Sequence, residues 1–187
     1  LLEMVRLYTL FDKKAGKIVA RYQQIFGIKR LIERISTKNS KGGREGGVIW
    51  HTTGSGKSFT MVFLSKAMIL HETLKKCRIL VVTDRVDLED QLSKTFVSGG
   101  ELAGKKDKQN AMATSGKRLA EQIGKGTERI MFSLIQKFNS ATKLPECVNT
   151  SSDFIVLIDE GHRSQGGENH VRMKLALPNA AFVAFTG

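Results

Sequence analysis

The chain has 187 residues, 41% hydrophobic and 26% charged, enough for one buried core and too apolar for a disordered tract. No run approaches the about 18 uninterrupted apolar residues of a membrane helix, and Cys77 and Cys147 lack CxxC spacing, so free thiols in a reducing cytoplasm are expected. Thirty Lys and Arg against eighteen Asp and Glu give a charge of +12, and residues 1–47 hold eleven basic against four acidic side chains, which invites a polyanion but also describes a solvated basic surface.

In chain order, residues 1–35 read as helical, with Leu31, Ile32 and Ile35 as an apolar stripe. The start lacks an initiator methionine and a signal-peptide layout, and with the end at Thr186-Gly187 this suggests a piece of a longer protein. Residues 36–47 are polar and glycine-rich, a loop. Val48-Ile49-Trp50 reads as a short buried strand, and Phe59 through Leu70 as a helix buried on most sides. The continuous run Arg78–Thr83 reads as a strand covered on both faces. Asp84 is placed to cap the next helix, whose first turn carries Asp87, Glu89 and Asp90 and whose apolar face is Leu88, Leu92 and Phe96. Residues 97–110 read as a glycine- and lysine-rich loop, 111–123 as a helix, 130–132 as a strand and 139–152 as a polar loop. Phe154–Ile158 and Ala180–Phe185 are the last strands. Strands alternating with helices predict an α/β fold with a mainly parallel, right-handed sheet in three layers.

Two segments carry chemistry. The first is Trp50-His51-Thr52-Thr53-Gly54-Ser55-Gly56-Lys57-Ser58, between a strand and a helix. Glycines let backbone amides curl around a phosphate, and the helix adds its positive end. Thr53, Gly54, Ser55, Gly56, Lys57 and Ser58 would cradle ATP, with Lys57 on the β- and γ-phosphates and Ser58 on Mg²⁺. The strict pattern has glycine where His51 stands. The second is Asp159-Glu160 at the end of a buried strand: Asp159 would hold Mg²⁺, and Glu160 would orient and deprotonate a water. An acidic pair at that place also suits a helix cap. Both segments belong to carboxyl ends of parallel strands, where such sheets bind ligands.

Asp159-Glu160-Gly161-His162 resembles the Asp-Glu-Ala-His box of superfamily 2 helicases, with glycine for alanine, and the tail Arg163-Ser164-Gln165 resembles the motor and nuclease subunit of type I restriction-modification enzymes. The phosphate-loop segment is similar to that family's, histidine variant included. Val82-Thr83-Asp84-Arg85-Val86-Asp87-Leu88 resembles its motif Ia, Ile135-Gln136-Lys137-Phe138 its Ib region and Ala184-Phe185-Thr186-Gly187 the start of motif III. Ser133 stands where the family tends to have threonine. The resemblance implies a RecA-like phosphate-loop NTPase fold, with residues 1–35 a helical lead-in and 36–187 the first motor domain, stopping within motif III. It implies ATP-driven translocation on double-stranded DNA, methylation and specificity subunits as partners, a bacterial or archaeal cytoplasm and no membrane.

Residue by residue, it implies that Gln24, rather than Gln23, reads the adenine edge, although an exposed helical glutamine without a role fits equally well. It puts Arg85 and Gln136 on the DNA-backbone side and gives His162 and Thr186 the coupling of hydrolysis to movement. A second motor domain with its arginine, worth on the order of 10³–10⁵ in rate, lies outside the chain, so nucleotide binding with little turnover is expected of these residues alone. Another superfamily 2 remodeller, such as a type III restriction subunit, and a phosphate-loop phosphotransferase are the alternatives.

Overall fold

The continuous apolar runs become the middle of a parallel sheet, as their lack of alternation requires. A computed structural model of the chain describes residues 2–12, 16–50, 52, 56–102, 105–159 and 167–187. In chain order the elements are α1 (Leu2–Leu7), β1 (Thr9–Asp12), β2 (Gly16–Val19), α2 (Tyr22–Ser36), β3 (Gly47–Trp50), α3 (Lys57–Leu70), β4 (Arg78–Thr83) and α4 (Val86–Ser98). There follow α5 (Lys105–Ala111), α6 (Gly116–Lys125), β5 (Ile130–Leu134), α7 (Phe138–Ala141), β6 (Phe154–Asp159), α8 (Glu168–Ala176) and β7 (Ala181–Thr186).

Five strands pair in the order β3-β7-β6-β4-β5, every neighbouring pair parallel. All six residues of β6, at the centre, are buried. One face packs on α2, α3 and α4 through Ile79, Val81, Phe132, Leu157, Val183 and Phe185; the other packs on α6, α7 and α8 through Leu80, Val82, Met131, Val156 and Ile158. This is the expected three-layer α/β architecture. Among the described residues no helix is long and apolar enough to cross a membrane.

The α3 helix behaves as its composition demands, with eight of its fourteen residues buried. Gln24, Ile28, Leu31 and Ile35 form the buried stripe of α2. Several expectations are corrected. Residues 1–35 are not continuously helical: β1 and β2 pair antiparallel, Thr9 opposite Val19, and Lys66 Nζ of α3 donates to the Thr9 carbonyl at 3.0 Å. The loop expected at 97–110 contains α5, whose Lys-Lys-Asp-Lys-Gln-Asn run lacks an apolar period. The helix expected at 111–123 begins at Gly116, where Ser115 Oγ accepts from Arg118 N–H at 3.1 Å. The 139–152 segment opens with the end of α7 and holds a 3₁₀ turn, Pro145–Cys147. Asp84 does not cap α4; Arg85 occupies the N-cap position, extended and without a side-chain cap bond. The strand β3 forms, but at the sheet's edge rather than buried: Val48 is 63% and Trp50 74% exposed. Cys77 and Cys147 are free, buried thiols.

Candidate active site

At the carboxyl ends of the strands, β3 ends at Trp50 and α3 begins at Lys57. Gly56 caps α3 with φ +89°, a left-handed conformation that glycine adopts without strain, and a Cβ there would stand 3.3 Å from Gln24 Nε2. The amino end of α3, with its positive dipole end, therefore faces the carboxyl ends of the strands. Lys57 Nζ lies 3.6 Å from Asp159 Oδ1, their side chains 20% and 8% exposed. Because β7 runs between β3 and β6, this ion pair bridges the end of β7, where Thr186 stands opposite Trp50. Ser58 follows in the first turn of α3. The adjacent Lys57 and Ser58 thus share one edge with Asp159 and Thr186, which lie far along the chain.

Gln24 belongs to the same cluster. It is 6% exposed, not an exposed helical glutamine. Its Oε1 accepts from Arg21 N–H at 2.8 Å, the reciprocal bond of a capping box at the start of α2. Its Nε2 donates to Thr60 Oγ1 at 2.7 Å and to the Gly56 carbonyl at 3.3 Å. Thr60 in turn donates to that carbonyl from Oγ1 at 3.2 Å and from its backbone N–H at 3.0 Å. The last residue before α3 is clamped from two helices.

Arg85 and Gln136 sit together at the ends of β4 and β5. Arg85 makes a bidentate, exposed pair with Asp87, at 3.1 and 2.8 Å, and Gln136 Nε2 donates to the Asp84 carbonyl at 2.7 Å. Beneath them Lys137 Nζ lies 3.2 Å from Glu89 Oε1, the carboxylate 6% exposed. Sequence reasoning gave Glu89 only the helix-dipole role and missed this bridge, as it missed Thr60; neither has a local sequence signal. Of the residues expected at the site, His51, Thr53, Gly54, Ser55, Glu160, Gly161, His162 and the tail 163–165 lie outside the described residues. A cavity of about 580 Å³ lined by Glu101, Asp107 and Arg129 lies at the opposite end of the strands and holds none of these residues.

The donor set suits a magnesium–triphosphate. An ammonium and a largely buried carboxylate meet beside a helix amino end whose first turn carries the Ser58 hydroxyl.

The parallel sheet and its two helical layers define a domain of the phosphate-loop NTPase, RecA-like fold class. The chain matches the SWI2/SNF2 ATPase model over residues 23–187 and belongs to that family of nucleotide-using proteins. It is 36% identical over 208 residues to the type I restriction enzyme HindI endonuclease subunit of Haemophilus influenzae, a match covering 100% of this chain and 19% of that protein. It is 32% identical over 192 residues to the putative type I restriction enzyme MjaIXP endonuclease subunit of Methanocaldococcus jannaschii, covering 100% of this chain and 18% of that protein. The resemblance to type I restriction motor subunits is borne out, and the chain spans less than a fifth of the length of these two relatives. In fold it is similar to the Sulfolobus solfataricus SWI2/SNF2 ATPase core in complex with dsDNA, with a TM-score of 0.64 at 14% identity, covering 98% of this chain and 34% of that one.

Proposed function

We propose that this chain is the first ATP-binding motor domain of a type I restriction enzyme's endonuclease subunit, coupling ATP hydrolysis to movement along double-stranded DNA. The observation that carries the reading is the Lys57–Asp159 pair at 3.6 Å, across the end of β7 and beside the amino end of α3. Residues 36–187 form the motor domain and residues 1–35 its lead-in, which contributes α2 to the same core. Methylation and specificity subunits are the proposed partners, and the cytoplasm the proposed compartment.

Mg·ATP supplies the phosphoanhydride and the metal charge that stabilises its cleavage. Lys57 neutralises phosphate charge, and Gly56 with the first amides of α3 holds the phosphates, joined by Thr53, Gly54 and Ser55. Ser58 and Asp159 hold Mg²⁺. Glu160 accepts the proton of the attacking water, and His162 and Thr186 relay the change at this edge to a neighbouring domain. Gln24 fixes the Gly56 carbonyl; to read the adenine edge as well, its Nε2 would exchange the Thr60 or Gly56 bond for one to the base. Arg85 and Gln136 face the DNA phosphates on the ends of β4 and β5, on loops held by the Lys137–Glu89 bridge.

Calorimetric titration with Mg·ATP tests the site. Lys57→Ala is expected to weaken binding at least tenfold, and equal affinities would remove Lys57 from it. The DNA reading is tested separately in the full-length polypeptide, whose ATPase is expected to rise with duplex DNA; a rate indifferent to DNA would refute translocation while leaving the nucleotide site intact.

A further inference from the structure

Arg85 and Gln136, the two residues read as facing duplex DNA, stand on turns that leave neighbouring parallel strands. Those strands, β4 and β5, end side by side, with Thr83 opposite Leu134. Beyond that register the two turns are joined twice. One join is exposed, the bond from Gln136 Nε2 to the Asp84 carbonyl at 2.7 Å. The other is buried: Lys137 Nζ lies 3.2 Å from Glu89 Oε1, the side chains 17% and 6% exposed.

Each partner of the buried pair is one short step from a DNA-facing residue. The Glu89 N–H donates to the Arg85 carbonyl at 3.0 Å, closing the first turn of α4. Lys137 follows Gln136 in a 3₁₀ turn, Ile135–Lys137, that leads into α7 and is anchored by the buried Ile135 and Phe138. The pair also ties the two helical layers together. On one face of the sheet α4 packs through Leu92 and Phe96, and on the other α7 packs through Phe138 and Ala141.

We propose, resting on the DNA-facing reading of Arg85 and Gln136, that Glu89 and Lys137 are positioning residues for DNA. Their bridge holds the turns after β4 and β5 at one separation, so Arg85 and Gln136 meet the duplex backbone as a preset pair. Desolvation offsets most of the attraction in such a buried pair, so what it contributes is direction more than stability. The Lys137 charge is directed at Glu89, not at a phosphate.

Glu89→Gln in the full-length polypeptide separates these two roles for Lys137 by sign. The change removes a negative charge and frees the ammonium. A lysine that touched phosphate would then bind DNA more tightly, with a slope of log affinity against log salt steeper by about 0.9. A positioning bridge gives the reverse. The duplex concentration that half-saturates the ATPase is expected to rise about tenfold, with the rate at saturating duplex changed less than about twofold. The salt slope is expected to become shallower by about 0.9 as Arg85 leaves its phosphate.

Glu89→Gln leaves a buried ammonium without its partner, so a second variant guards against simple unfolding. Glu89→Leu with Lys137→Met fills the space with apolar groups; it is expected to melt close to wild type and to show the same rise in half-saturating duplex. Wild-type DNA dependence in either variant, or tighter binding by Glu89→Gln, would overturn the proposal. Arg85→Ala separates that failure from failure of the DNA-facing reading. If Arg85→Ala also matches wild type, Arg85 is not at the DNA and the reading falls. If it weakens binding while the bridge variants do not, the bridge alone is excluded.

Discussion

Each end of the sheet holds a cation against a carboxylate with one partner of the pair buried, and the two pairs are built differently. At the amino end Arg44, its side chain 4% exposed, meets Asp153 Oδ1 at 3.1 Å. Its guanidinium also donates to the carbonyls of Ser152, Ile35 and Ser36, at 2.7, 2.9 and 3.3 Å, and its backbone N–H to Asn179 O at 3.2 Å. One side chain ties the end of α2 to the approach of β6. At the carboxyl end Lys57 meets Asp159 at 3.6 Å, the distance of an ion pair rather than a short hydrogen bond, beside a helix amino end. Burial and opposite charge are common to both. What separates a rivet from a candidate site is the end of the sheet it occupies.

The sharpest way to break this comparison is to exchange the consequences. Asp159→Asn is expected to lower ATP turnover by the full-length polypeptide by about a thousandfold, because the metal and the developing charge lose their fixed carboxylate. The melting temperature should move little. Arg44→Ala is expected to do the reverse: about 3 kcal/mol of stability lost, since three carbonyls and a carboxylate lose a charged donor. For a domain of this size that is a fall of about 6–12 °C in melting temperature. Mg·ATP affinity below the transition should stay unchanged. A large turnover defect without unfolding in Arg44→Ala, or a stability defect alone in Asp159→Asn, would erase the distinction.

Gln24 lies between the two kinds of residue and gives an intermediate effect. Gln24→Ala removes two donors' worth of support from Gly56 and Thr60 and uncaps α2. About 1–2 kcal/mol of stability and roughly a tenfold loss of nucleotide affinity are expected together. Gln24→Glu keeps the bond from Arg21 N–H while placing an acceptor against the Gly56 carbonyl, so it should retain the capped helix and still lose affinity. If both variants bound Mg·ATP like the wild type, the clamp would be structural only, in the class of Arg44.

The same contrast explains how much was legible beforehand. Strands β4, β6 and β7 and the helix α3 announce themselves through uninterrupted apolar runs, and Gly56-Lys57-Ser58 through its spacing, because these signals are local. The meeting of Lys57 with Asp159 was legible too, since a parallel sheet collects its strand ends on one edge. The hairpin of β1 and β2 was not: each strand has four residues, and Lys13-Lys14-Ala15 carries none of the Asn-Gly chemistry that marks a tight hairpin. Trp50 read as buried because an apolar triplet says nothing of a strand's place in the sheet order. Arg44 drew notice only as surplus charge; its partners Ser152 and Asp153 lie far along the chain, where no periodicity connects them.

Cys147 provides the smallest test and the one nearest pure packing. Burial, and then the neighbouring Glu146 carboxylate, raise its thiol from 9.0 to about 11. In the unfolded chain the thiol ionises near its ordinary value, so the folded state holds the proton more tightly. Below about pH 9 both states are protonated and stability is unaffected. Between about pH 9 and 11 the unfolded state alone ionises, and stability falls by at most about 2 kcal/mol. Burial also raises Cys77 and Tyr8, which lose stability in the same direction, so the wild-type slope alone assigns nothing. Comparing urea midpoints of wild type and Cys147→Ala at pH 8 and pH 10.5 isolates the residue: the variant starts lower and declines less. Parallel declines would mean that the thiolate finds water or a cation in the folded protein, and that the α6 side of the core around the Pro145–Cys147 turn is looser than its burial implies.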